Sequence, residues 1–499
     1  MNKKRVLMEI GNLTGGLEAE KQKQIEDFFI ALQNKIDLPI YSQALLINHF
    51  IKGFEYYLDK GMEPEEITEI LDLNNIGNYY LEFNRFAVSL DNAGIIYPLG
   101  MKFGQMPMFR LSVELKENIE PCLLQLALDF TIKRFPLFST IIKNGFFWHY
   151  LETTNSIHQI EEERDIPCKP ISLINRTKSS FRLLYYKKRI SIEYFHVLTD
   201  GIGGMTFLKT LVAEYLRLRQ IDIENTEGVL DINGPVDEKE LVNEFANATG
   251  KSDMSTFVDK KSLQLDGRYT NLNLNRIIHY VFDTDELKKV SNSYDATITA
   301  YIMSILFMAG KECISARKGV FNIQVPINMR KFNDSKTLRN YAMYFNVTMN
   351  VEDINDRDSL IRSISAQMKQ KGTLGEMNGM MMTTQKIISA LTYVPLFIKV
   401  PLVQMVYGYL GNSIIGNTLS NLGMVKVPEK MAEQIEKMYF ILVPGLPNRV
   451  ASTLVSVNNK TVLTITMNDK DQSFFEKVYG IFRQDGLNVE LEGSGRYES

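Results

Sequence analysis

Residues 387–410, IISALTYVPLFIKVPLVQMVYGYL, restrict the folds open to this chain more than any other stretch. An apolar run of that length can cross a bilayer as one helix. Lys399 interrupts it, however, and Pro395 and Pro401 each break or kink a continuous helix. These breaks predict buried or groove-lining helices and no transmembrane span. The Met-rich run just before it, GEMNGMMMTTQ, is flexible and apolar. Its plain reading is a loop packed on the core, and the alternative is the wall of an adaptable acyl or acceptor channel.

A chain without a span must bury its apolar residues in its own core. With 499 residues, 45% of them hydrophobic, the core is large, and a chain of this length divides into domains or lobes. The formal net charge is −3 and Lys/Arg are not clustered, which argues against nucleic acid as a partner. The opening MNKKRVLMEIGN is basic and then briefly apolar, too short for a secretory segment and interrupted by Glu9. Cys122, Cys168 and Cys313 are odd in number and far apart, so neither a disulfide framework nor a zinc site is expected. The expectation is a reduced, cytoplasmic, globular protein with no metal, for which peripheral membrane contact stays open.

Along the chain, residues 1–83 read as a helical extension. EAEKQKQIEDFFIALQNK puts Ile25, Phe28, Phe29 and Leu32 at helical spacing, and MEPEEITEILDL opens with Pro and acids. No Asp-Ser-Leu triplet occurs there, which argues against an acyl-carrier domain. From residue 84 strands and helices mix. FRLLYYKKRISIEYFHVL reads as a hairpin turning near Lys187–Arg189, and MTFLKTLVAEYLRL as an amphipathic helix. Residues 84–230 form a first lobe, the polar stretch 231–272 a linker, and 273–499 a second lobe with renewed strand and helix alternation. The class expected is α+β.

The chemistry centres on ISIEYFHVLTDGIGG, residues 190–204. Strand alternation puts Ile190, Ile192, Tyr194 and His196 on one face and Ser191, Glu193 and Phe195 on the other. His196 closes the strand where the chain enters a glycine-rich loop. A neutral imidazole there takes up a proton near neutral pH. Asp200 would hold the turn, and Gly201 and Gly203 permit close backbone approaches. The same residues also fit a structural histidine in a tight turn. The stretch is not a phosphate loop, since no Lys-Ser/Thr comes after it, and G-x-S-x-G is absent from the chain.

FHVLTDGIGG resembles the His-His-x-x-x-Asp-Gly motif of the chloramphenicol-acetyltransferase-like, CoA-dependent acyltransferase superfamily, which includes alcohol acetyltransferases, wax-ester synthases and peptide-synthetase condensation domains. LDNAGIIYP (90–98), KRFPLFSTIIKNGFFWHYLE (133–152), VPINMRKFNDSKTLRNYAMYFN (325–346) and TLSNLGMV (418–425) are similar to segments of its alcohol-acetyltransferase-like branch and occur in that order. The resemblance covers roughly 84–493 and implies two lobes of mixed sheets facing each other across a tunnel.

It also implies roles. His196 would be the general base that deprotonates the acceptor. Asp200 would pair with an arginine, for which Arg330 is the best candidate, and hold the active-site loop with Gly201. Ser420 and Asn421 would hydrogen-bond the donor or an oxyanion, or else form a plain turn. Phe195 stands where the motif has its first His, a departure that loosens the match to condensation domains. Trp148 and Tyr150 are expected in the core, with His149 facing away. The activity implied is acyl transfer, acetyl first, from acyl-CoA as co-substrate to a small or lipophilic alcohol or an amine, without a bound cofactor or a covalent intermediate. A carrier-protein-dependent condensation enzyme and an inactive binding module are the alternatives.

Overall fold

The computed structural model describes residues 10–11, 13–82, 86–100, 106–154, 156–171, 179–250, 252, 261–267, 276–410, 415–444, 450–468 and 471–493. The boundary expected at 83/84 and parts of the linker, residues 251, 253–260 and 268–272, lie outside them.

Helices α1 (Ala19–Asn34), α2 (Ile40–Asp59) and α3 (Pro64–Ile70) precede the first strand. Pro64 starts α3 beside a capping box between Glu63 and Glu66. Then come β1 (Ala87–Ser89), α4 (Ile96–Gly100), β2 (Met108–Leu115), α5 (Pro121–Thr131), β3 (Thr140–Asn144), β4 (His149–Thr153), β5 (Ile160–Glu162), β6 (Phe181–Tyr186), β7 (Arg189–Phe195) and α6 (Gly201–Leu218). The second half holds β8 (Arg276–Asp283), α7 (Thr284–Ser293), α8 (Ile298–Glu312), β9 (Val320–Asn328), β10 (Ala342–Asn350), α9 (Arg357–Lys371), α10 (Leu374–Ala390) and α11 (Leu396–Leu410). It ends with β11 (Asn417–Met424), α12 (Glu429–Gln434), β12 (Ile435–Leu442), β13 (Val450–Val457), β14 (Lys460–Met467), α13 (Ser473–Gln484) and β15 (Glu490–Gly493).

Two large sheets organise the α+β structure. One has the strand order β12-β2-β7-β6-β5, the other β10-β9-β11-β13-β14-β8-β15, and a small third sheet is β1-β4-β3. After β11 the chain leaves the second large sheet, adds β12 antiparallel to β2 in the first, and returns as β13. A strand from the second half thus completes the sheet of the first. Each large sheet has its own apolar cluster. The N-terminal helices belong to the first: Phe28, Phe29, Phe50 and Phe54 form edge-on and tilted ring contacts, and Phe50 reaches Phe130 of α5.

The hairpin β6–β7 turns at Lys187, whose φ of +49° is left-handed. β7 is flanked by β2 and β6, so His196 and the turn beyond it extend from a strand paired on both sides. The glycines after it do not form a loop. Gly201 opens α6, and Asp200 caps it by accepting from Ile202 N and Gly203 N, each at 3.1 Å. Local glycine content reads as a loop, but the aspartate cap and close packing make it a helical first turn. A methyl group on Gly203 would collide with Leu338 O and Thr199 Oγ1, and one on Gly204 would crowd Tyr194 and Phe109.

The Met-rich run is helical as well. It lies in α10, with Met377, Met380 and Met381 buried in the second cluster. Residues 387–410 break near Pro395 into the end of α10 and α11, and Pro401 sits inside α11. Of the two readings, buried or groove-lining, full burial does not hold. Ile387, Tyr393, Phe397, Ile398, Leu402 and Met405 are exposed, while Lys399 is buried over the Trp148 ring. Among the described residues no helix is long and apolar enough to cross a membrane.

Candidate active site

His196 comes directly after the last residue of β7, and its backbone N–H donates to Pro107 O at 3.0 Å. The ring is half-buried between Tyr97 of α4, at 4.8 Å between centroids, and Phe109 of β2, at 5.0 Å. Its Nδ1 lies 2.9 Å from Asn340 Oδ1. The amide's orientation is set by its other end, because Asn340 Nδ2 faces His196 O at 3.0 Å and Asp91 Oδ2 at 3.1 Å. A backbone carbonyl only accepts, so the nitrogen must face it and Oδ1 must face the ring. Nδ1 therefore carries the proton, and Nε2 keeps its lone pair.

Asp91 anchors this arrangement. Its Oδ1 accepts from Gly94 N at 2.6 Å, and its Oδ2 accepts from Asn340 N at 3.3 Å as well as from the amide. Arg339 Nε lies 3.7 Å from the same Oδ2. Burial raises the Asp91 carboxyl, while Arg339 and these donors oppose the rise. Burial pushes His196 below its ordinary value, against the Asp200 charge, the Asn340 hydrogen bond and Asp91. The imidazole is thus a neutral base at neutral pH.

Asp200 is buried and accepts four hydrogen bonds. Besides the two cap donors, Oδ2 takes Arg330 Nη1 at 2.8 Å and Tyr341 N at 2.8 Å. Burial pushes the carboxyl up, but the Arg330 charge and these hydrogen bonds outweigh it and hold Asp200 below the ordinary range. Arg330 is equally engaged, donating to Thr337 O at 2.8 Å, Asn328 Oδ1 at 3.2 Å and Arg339 O at 2.6 Å. The pair ties the start of α6 to the segment 328–341, which also carries Asn340. Thr199 Oγ1 adds a bond to Leu338 O at 2.6 Å.

Leu422 lies over Gly201, where an added methyl would come within 2.8 Å of it. The LSNLG segment of β11 is therefore beside the first turn of α6. Ser420 is half-buried on that strand. Asn421 is exposed, with Nδ2 donating to Thr299 Oγ1 at 2.9 Å and Oδ1 accepting from Gly423 N at 2.7 Å. Its amide closes a turn around Gly423, whose φ is +72°. Phe195 is fully buried, and Glu193, on the same face, is buried and paired with Arg110 and Arg182. Trp148 and Tyr150 are only half-buried, as is His149, which burial and the Lys399 charge lower to about 4. A cavity of about 490 Å³ opens elsewhere, lined by Tyr79, Lys133, Arg134 and Leu241 among others.

No protein-family model matches the sequence, and no curated protein matches it. Solved structures do. A condensation domain of the calcium-dependent antibiotic synthetase, in complex with a substrate analogue, aligns with a TM-score of 0.57 at 12% identity, covering 80% of this chain and 95% of that one. F. graminearum TRI101, complexed with coenzyme A and deoxynivalenol, aligns at 0.56 and 8% identity over 81% and 99%. TRI3 trichothecene 15-O-acetyltransferase from Fusarium sporotrichioides aligns at 0.53 and 12% identity over 79% and 94%. The chain has the chloramphenicol-acetyltransferase-like fold.

Within this chloramphenicol-acetyltransferase-like fold, Asn340 and Asp91 are the site residues that sequence reasoning missed. They lie in RNYAMYFN and LDNAGIIYP, two of the segments that carried the resemblance. An asparagine and an aspartate 249 positions apart give no local pattern to read.

Proposed function

We propose that this chain is a CoA-dependent O-acyltransferase that moves an acyl group, acetyl first, from acyl-CoA to an alcohol. The observation that carries the reading is the His196–Asn340–Asp91 chain, which protonates Nδ1 and leaves Nε2 as a neutral base. Nε2 takes the hydroxyl proton as the acceptor oxygen attacks the thioester carbonyl. The carbon–sulfur bond then breaks, and the imidazolium returns the proton to the departing thiolate. One base serves both steps, so no covalent acyl-enzyme forms. Asp200, Arg330 and Gly201 position the base and touch no substrate in this scheme. Ser420 is the donor-side hydroxyl of the LSNLG segment, and Asn421 holds its turn. The fold neighbours support the reading, since one of them is an O-acetyltransferase by name and another is complexed with coenzyme A.

The likeness to a condensation domain favours a second reading, in which the acyl donor is carrier-bound and the product an amide or ester. The test is thiol release from acetyl-CoA in the presence of pooled alcohols and amines, with wild type and His196→Ala. General-base loss predicts a fall of roughly 10²- to 10⁴-fold. Undiminished turnover by the variant overturns the role of His196. Transfer from a phosphopantetheinyl thioester but not from free CoA establishes the second reading.

A further inference from the structure

The hydrogen bond at Nδ1 fixes the tautomer of His196 but leaves the ring able to rock about that bond. The lone pair on Nε2 lies in the ring plane, so the plane decides where the base points. Tyr97 limits the rocking. Its ring centroid lies 4.8 Å from that of His196 with 30° between the planes, closer to stacked than to edge-on. Phe109, at 5.0 Å and 60°, stands more edge-on. Phe109 is buried and stacks on Tyr194 within the core, whereas Tyr97 is half-buried on the short helix α4.

The start of α4 is bound to the same centre. Gly94 N donates to Asp91 Oδ1 at 2.6 Å and Ile95 N to Asp91 O at 2.9 Å. The residue that orients Asn340 thus also shapes the turn that delivers Tyr97. Gly94 is pressed onto the site, since a methyl group there would come within 3.2 Å of Val197 O and 3.5 Å of Asn340 Nδ2. α4 packs on α11 as well. The segment 90–98 therefore brings two groups to His196, Asp91 through Asn340 and Tyr97 directly.

Charge gives the stack a second consequence. Burial disfavours the protonated ring. The charged groups that face it are Asp200 ahead of α6 and Asp91 ahead of α4, while Asn340 and Phe109 are neutral. Each carboxylate already has an arginine beside it, Arg330 at 2.8 Å and Arg339 at 3.7 Å. The face of an aromatic ring carries the negative part of its quadrupole and attracts a cation laid against it. We propose that Tyr97 is a positioning residue for His196: its ring face holds the imidazole plane and lies against the positive charge that forms when Nε2 takes a proton. Its effect on rate rests on the general-base reading, and its effect on the ring does not.

The test is an NMR titration of His196 in the full chain without substrate, for wild type, Tyr97→Leu and Tyr97→Phe. Beside it runs the pH profile of thiol release from acetyl-CoA with pooled alcohols. Tyr97→Leu should lower the ratio of protonated to neutral His196 at a fixed pH by about twofold to thirtyfold. The acid limb of the rate should move to lower pH with it. Tyr97→Phe keeps the ring face and should recover the wild-type titration and most of the rate. Tyr97→Met replaces the Leu variant if thermal melts show that one unfolded. A ratio that holds or rises in the aliphatic variant overturns the proposal. So does a Phe variant that loses as much as the aliphatic one, since the hydroxyl and not the face would then act. A lowered ratio together with undiminished turnover by His196→Ala leaves the stack standing and overturns the base role alone. An unchanged ratio with His196→Ala inactive overturns the stack alone.

Discussion

Replacing Asn340 by Ala tests the protonation state of His196 directly. The side chain makes three hydrogen bonds, at 2.9 Å to Nδ1, 3.0 Å to His196 O and 3.1 Å to Asp91 Oδ2. Its loss leaves the Nδ1–H without an acceptor in a partly buried site. That costs about 1–3 kcal/mol, or roughly fivefold to a hundredfold in the tautomer ratio. The proton then moves to Nε2 in part of the population, and that part cannot accept a proton from substrate. Turnover at neutral pH should fall with the fraction that shifts, by at most that factor. The Asn340 bond also raises the His196 pKa against burial, so its removal should move the acid limb of the pH profile to lower pH. Nitrogen-15 NMR of histidine-labelled protein reads the tautomer without substrate, and His196→Gln identifies the resonance among the five histidines. Wild type should show the proton on Nδ1 and the variant a mixture. A wild-type spectrum with the proton on Nε2, or a variant with an unchanged tautomer, acid limb and rate, refutes the reasoning.

Wild-type kcat/KM should hold level as pH falls to the ordinary histidine value of 6.5 and decline only below it, because burial lowers the pKa and the neutral base persists into weak acid; an acid limb above that value contradicts the assignment. Arg330→Met should destabilise by about 3 kcal/mol, the low end for breaking a buried ion pair, since Asp200 keeps three backbone donors. A denaturation midpoint equal to wild type would count against that. Gly203→Ala should cost about 1–3 kcal/mol by driving a methyl into Leu338 O, a backbone atom with nowhere to move. Gly201→Ala meets only the mobile end of Leu422 and should cost less than about 1 kcal/mol; the two are compared by thermal melts, and equal losses would show that packing does not set the glycine pattern.

The features legible in the sequence were those that short range decides. Strand β7 comes from alternation, its hairpin from the turn at Lys187, and the body of α6 from the amphipathic run MTFLKTLVAEYLRL. The misreadings share one cause, that a local signal has two tertiary outcomes. DGIGG reads as a loop because glycine weakens helices, yet its glycines are where α6 meets Leu338, Leu422 and Tyr194, and no loop would need that closeness. Residues 387–410 read as buried or groove-lining because they are apolar and interrupted; burial is the part that fails, since Tyr393 and Phe397 are among the most exposed large hydrophobic side chains of the described residues. Asn340 could not be found from its own neighbourhood at all, since its role exists only where β7, the 328–341 segment and Asp91 converge. The same convergence gives the candidate site its sensitivity. Arg330 reaches Asp200 from the segment that carries Asn340, so a change at the ion pair also displaces the acceptor on His196 Nδ1. Arg330→Met should therefore disturb the histidine tautomer as well as stability, although Arg330 makes no hydrogen bond to His196.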